Sequence, residues 1–236
     1  MRNRIACMVL PLILLSWGSA MGQPNAATEP LPEFNQIVLN LIKEYPTDGT
    51  HDYWWPRNGE SNYDGCTRNL FYRGKQVMDG ESQGRTYCCG LTLEVFLRAY
   101  NQWLEKHGGE TAAAFDADRW PRFQRLWFVI ALNGPGPSSA VEEFGIGRTL
   151  AFEDVRPGDF LNYWRTKNKK GKITGHSVVF LDWVRDEQGA VTGFKYWSSQ
   201  GSTKGIGERI ESFGPDGGVE KKYTFFCRVE PDKGKK

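Results

Sequence analysis

Cys88 and His176 are the residues of this chain whose types and settings could make a nucleophile and its base. Cys88 opens the segment Cys88-Cys89-Gly90-Leu91, ahead of an apolar stripe at helical spacing formed by Leu91, Val95, Phe96, Ala99, Tyr100 and Leu104. In the first turn of a helix, unpaired backbone N–H groups and the positive end of the helix dipole favour a thiolate over a thiol. Gly90 lets another backbone or a substrate come close. A base for such a cysteine need not be near it in sequence. His176 follows Gly175 and opens the hydrophobic run Ser177-Val178-Val179-Phe180, from which an imidazole can project off a sheet end toward a helix N-terminus. Alone, a histidine in that setting reads as a structural or surface residue. It gains a chemical reading only beside Cys88 and the elements between them.

Those elements follow from the hydrophobic pattern. Phe34, Ile37, Val38, Leu41 and Ile42 predict a first amphipathic helix over Glu33–Tyr45, ended by Pro46. Thr47 to Thr86 is a polar stretch without sustained periodicity, and a connection that long is usually functional. The helix begun at Cys88 is stopped by Gly108-Gly109, and Trp120 to Leu132 predicts a third helix with Pro121 at its start. After the break Asn133-Gly134-Pro135-Gly136-Pro137, Ser138 is placed to cap a short turn through Phe144. From Arg156 onward the pattern becomes short β-branched and aromatic runs: Asp159–Trp164, Ser177–Val184, Gly193–Trp197 and Lys222–Val229, with a hairpin over Arg185–Thr192. Helices followed by an antiparallel sheet make an α+β plan.

Three segments in this order resemble the NlpC-type cell-wall hydrolases of the papain-like clan: Cys88-Cys89-Gly90-Leu91, Pro157-Gly158-Asp159-Phe160-Leu161 and Gly175-His176-Ser177-Val178-Val179. The resemblance runs from Arg85 to about Gly207. It implies a papain-like domain over 33–236, with Cys88 as nucleophile and His176 as base. It also implies a third polar residue on the next strand that orients the histidine. Tyr196, Ser198 and Gln200 share one face there. Gln200 is the first choice because its amide oxygen can accept from an imidazole N–H, with Ser198 second and a plain turn beyond it as the alternative. The implied reaction is hydrolysis or acyl transfer at an amide bond through a Cys thioester, on a peptide such as a peptidoglycan stem, with no cofactor and no metal. A catalytically inactive binding module on the same fold is the alternative. Tyr87 stands where the family commonly has Asp, and the insertion from His107 to Arg156 is long for it.

The remaining features bound that reading. The backbone N–H of Cys88 is a natural oxyanion donor, and a second could come from Tyr63-Asp64-Gly65-Cys66-Thr67-Arg68. Within that loop Asp64 and Arg68 are expected either to pair or to bind substrate charge. Arg2 and Arg4, the apolar run Ala6–Trp17 and the small residues before Gly22 read as a signal peptide over 1–22, followed by a linker over 23–32. A secreted or periplasmic location and no stable membrane insertion follow. Past that segment the cysteines are Cys66, Cys88, Cys89 and Cys227, enough for two disulfides in three connectivities. Cys89 reads as a buried small hydrophobe or as a disulfide partner of Cys66 or Cys227, and Cys66–Cys227 is the other pairing. His51, His107 and His176 are too scattered for a multi-His metal site. The formal charge of +2 gives no nucleic-acid footprint, and Lys167 to Lys172 (KNKKGK) reads as a solvated hairpin tip.

Overall fold

The computed structural model describes residues 29–56, 63–108 and 115–232. The expected signal peptide and most of the linker lie outside them. Among the described residues no helix is long and apolar enough to cross a membrane. The described residues form an α+β fold with four α-helices, a six-stranded antiparallel sheet and a small two-stranded hairpin.

The helices are α1 (Glu33–Ile42), α2 (Cys88–Lys106), α3 (Trp120–Trp127) and α4 (Pro137–Glu143). The sheet strands are β3 (Gly147–Leu150), β4 (Phe160–Arg165), β5 (Gly175–Arg185), β6 (Val191–Gln200), β7 (Gly205–Ser212) and β8 (Val219–Val229), in the order β3-β8-β4-β5-β6-β7. The short hairpin is β1 (Leu70–Tyr72) with β2 (Lys75–Met78), inside the stretch that shows no periodicity. Helix α2 is buried along nearly its whole length. Around it Phe96, Tyr100, Phe115, Phe123 and Trp127 form a continuous aromatic core against one face of the sheet. The other face carries a second cluster built on Tyr163, Phe180, Phe194, Tyr196 and Phe226.

Several local expectations change. The third helix ends at Trp127, because Val129 takes a left-handed φ of 69° and the chain turns away. Ser138 caps nothing: α4 starts at Pro137 behind Gly136, without a side-chain cap. Strands β3 and β7 were not foreseen. The latter begins Gly205-Ile206-Gly207-Glu208 and owes its order to pairing with β6, from Gly193↔Ser212 to Gln200↔Gly205. Cys66, Cys88, Cys89 and Cys227 are all free and buried, so neither pairing of Cys89 nor Cys66–Cys227 forms.

The Pro-Gly-Asp turn has an architectural task. Asp159 is buried and accepts from Asn35 Nδ2 of α1 (2.8 Å), from Arg228 Nε and Nη2 of β8 (2.9 and 2.7 Å), and from the Arg156 N–H (2.7 Å). One carboxylate thereby joins the first helix, the turn into β4 and the last strand.

Candidate active site

Cys88 is the first residue of α2. Tyr87 before it is extended, with no side chain capping the helix and no acidic residue in its first turn. The N-terminal N–H groups of a 19-residue helix are therefore not spent on a local carboxylate; those of Cys89 and Gly90 meet the Cys89 sulfur, and Cys88 sits at the positive end of the helix dipole. The close approach that Gly90 allows is by backbone: a Cβ there would lie 1.9 Å from the Asp64 carbonyl oxygen. Glycine at this position lets the loop at Asp64–Gly65 lie directly on the first turn of α2.

Side-chain clamps fix the helix start against the sheet. Thr92 Oγ1 meets Ser177 Oγ of β5 at 3.0 Å and accepts from Trp127 Nε1 of α3 at 3.1 Å. Thr86 Oγ1, two residues before Cys88, donates to Ser199 Oγ of β6 at 2.7 Å. Ser198 donates to the Ser177 carbonyl at 2.8 Å, a bond internal to the sheet that leaves it no role at the imidazole.

His176 lies at the start of β5, where Gly175 is required because a Cβ would strike the Trp164 ring at 2.8 Å. The β5–β6 register Val179↔Trp197, continued three residues, sets His176 opposite Gln200. The strand β6 runs straight through Ser198 and Ser199 to Gln200, so no turn begins there. His176 Nε2 hydrogen-bonds Gln200 Oε1 at 3.2 Å. Gln200 Nε2 donates in turn to Thr203 Oγ1 (2.6 Å) and the Gly207 carbonyl (3.2 Å). Both of those acceptors need the amide N–H₂, so the oxygen must face the imidazole and the proton resides on His176 Nε2. His176 Nδ1 is then the ring nitrogen available to Cys88.

Cys88, His176 and Gln200 line one cleft of about 570 Å³. The Cys88 thiol is held well below its ordinary pKa range. The Cys89 thiol hydrogen-bonded to it contributes most; the His176 imidazole and the Ser177 N–H act the same way, against the opposing effect of burial. Burial first, and then Cys88 itself, push the Cys89 thiol up. The histidine and the Ser177 N–H address Cys88, whereas Cys89 meets only the N–H groups of Cys89 and Gly90, whose downward pull burial and the neighbouring Cys88 outweigh. The two adjacent cysteines thus divide into an acidified thiol and its donor.

Tyr53 is a site residue that sequence reasoning missed. The Tyr53–Thr86 bridge, with Trp54 N–H to the Thr86 carbonyl and Thr86 N–H to the Asp52 carbonyl (2.9 Å each), hangs the 52–55 segment over the cleft. Tyr53 and Trp55 line it. Burial, then the neighbouring Cys88, raise the Tyr53 phenol well above its usual range, so its O–H remains a donor. No periodicity marks that stretch; its adjacency to Thr86 in space was the only available signal.

The loop over Tyr63–Arg68 serves other purposes. Asp64 accepts from Asp79 N–H (2.7 Å) and Gln124 Nε2 (2.7 Å), while Arg68 lies 3.7 Å from the buried Glu94. Asp64 and Arg68 neither pair with each other nor line the cleft. Tyr87 turns its ring over Gly65 and packs edge-on against Trp55, Tyr63 and Phe128, flooring a neighbouring groove that includes Asp64, Gln124 and Arg125. Among the described residues no cluster of three His, Cys, Asp or Glu side chains could hold a metal ion.

No protein-family model, curated protein or solved structure matches this chain.

Proposed function

We propose that this protein is an exported thiol hydrolase of papain-like, NlpC-type character, which cleaves or transfers an acyl group at an amide bond. The observation that carries the reading is the linear arrangement Cys88, His176, Gln200. The glutamine fixes the imidazole tautomer, and the cysteine at a helix N-terminus is held toward the thiolate. An amide of a wall peptide is the substrate class that the sequence resemblance suggests.

In the reaction, Cys88 passes its proton to His176 Nδ1, its Sγ attacks the carbonyl carbon and the C=O electron pair moves onto oxygen. The Cys88 N–H and the Tyr53 O–H are the donors available to that oxyanion. Collapse breaks the C–N bond while the His176 imidazolium gives its Nδ1 proton to the departing amine. Water, deprotonated by His176, then attacks the thioester; the acid leaves and Cys88 is regenerated. An amine in place of water would give transfer.

Labelling tests the reading without a known substrate. Iodoacetamide is expected to alkylate Cys88 faster than Cys66, Cys89 or Cys227 at neutral pH, followed by peptide mass spectrometry. His176→Ala should slow Cys88 by about tenfold and move the inflection of its pH profile up toward the ordinary thiol value near 8.5. A Cys88 that reacts like a free thiol, with a rate indifferent to His176→Ala, would sink the enzyme reading and favour a binding module on this fold.

A further inference from the structure

The cleft is polarised. Its loop side is apolar, made by Trp55, Phe128 and Val129. Its sheet side carries Arg165, Arg209 and Lys172, and among the described residues no carboxylate lines it. Arg165 is neutralised by Glu211 at 2.5 Å. Arg209 is half-buried on β7, its Nη1 donating to Ser202 Oγ at 2.7 Å, with no acidic partner among the described residues. Lys172 belongs to the KNKKGK run, which is more than a solvated tip. Asn168 Oδ1 accepts from the Lys170 and Lys172 N–H groups (2.9 and 3.0 Å), folding the β4–β5 hairpin so that Lys172 stands at the cleft. A cavity with low-dielectric walls concentrates the field of such uncompensated cations.

We infer that the cleft takes a substrate with a carboxylate close to the bond that Cys88 attacks, seated on Arg209 and Lys172, with an apolar group toward Trp55 and Phe128. This rests on the reading of Cys88 as a working thiolate. Arg209 and Lys172 are specificity residues: they draw in the anionic end and fix which way the substrate lies, while Arg165 is committed to Glu211.

The test compares iodoacetate with iodoacetamide at Cys88 of the full chain, at low ionic strength. The two reagents make the same S–C bond with loss of iodide and differ in charge. Other groups around Cys88 also bias the two reagents, so the discriminating quantity is the change in the rate ratio on substitution. Combined Arg209→Gln and Lys172→Gln should lower the iodoacetate-to-iodoacetamide ratio by about three- to tenfold, and high salt should lower it in the parent chain. Arg209→Lys with Lys172→Arg should keep it, and so should Lys221→Gln, outside the cleft. A ratio unchanged in the double glutamine variant, or lowered equally by the charge-preserving pair, overturns the inference. Slow iodoacetamide labelling of Cys88 in the parent chain instead overturns the thiolate reading beneath it.

Discussion

Two buried polar clusters flank β4, and they differ in what they leave open. At the start of the strand, Asp159 takes hydrogen bonds from Asn35, Arg156 and Arg228, so both carboxylate oxygens are used inside the protein. Beyond its far half, Gln200 and His176 form an equally ordered chain, but that chain ends on a thiol facing a cleft. Saturation makes the first cluster a joint; the unspent sulfur makes the second a candidate for chemistry. The family resemblance draws on both motifs alike, and only the structure separates their tasks.

Substitutions should break the two clusters in different ways. Asp159→Ala leaves the half-buried Arg228 without its carboxylate partner, keeping only the Asp154 carbonyl, and loss of about 3 kcal/mol of stability is expected in urea unfolding. The Cys88 labelling rate, measured on the fraction still folded, should barely move; a specific loss of labelling would mean the two clusters are coupled. Gln200→Ala should act oppositely, lowering the Cys88 alkylation rate about tenfold by freeing the imidazole tautomer, at a smaller stability cost of about 1 kcal/mol. Gln200→Asn retains an amide one methylene shorter, and partial recovery distinguishes orientation of His176 from simple packing. Cys89→Ala tests the pairing of the two thiols. Removing the donor that contributes most to acidifying Cys88 should raise the inflection of the labelling profile at least as far as His176→Ala does, without abolishing reactivity, since His176 and the helix dipole remain. An inflection that does not move would return Cys89 to a plain packing role.

Legibility in the sequence followed periodicity. The four predicted strands correspond to β4, β5, β6 and β8, and the helix at Cys88 begins where its cap-free start indicates. Cys88 and His176 were nameable from a helix start and a strand start, and Gln200 only through the resemblance, which implies a third polar residue on the strand after the histidine. Strand β7 was hidden because glycines and charges dominate it, and its order comes from β6 rather than from its own residues. Tyr53 was hidden for a related reason: its place depends on a backbone bridge to Thr86, which no side-chain pattern records. The basic run Lys167–Lys172 was legible as a hairpin tip, but the direction in which the hairpin folds was not.

The bridge between Tyr53 and Thr86 has a mechanical consequence. Cys88 is two residues from Thr86 along the chain, and Tyr53 is paired with that same residue across it. The Cys88 thiol and the Tyr53 phenol therefore hang from one anchor, which Ser199 ties to the sheet. When the rest of the molecule breathes, the two groups are displaced together and their spacing is conserved. A tolerance that would otherwise accumulate across loop, helix and strand is cancelled at one threonine.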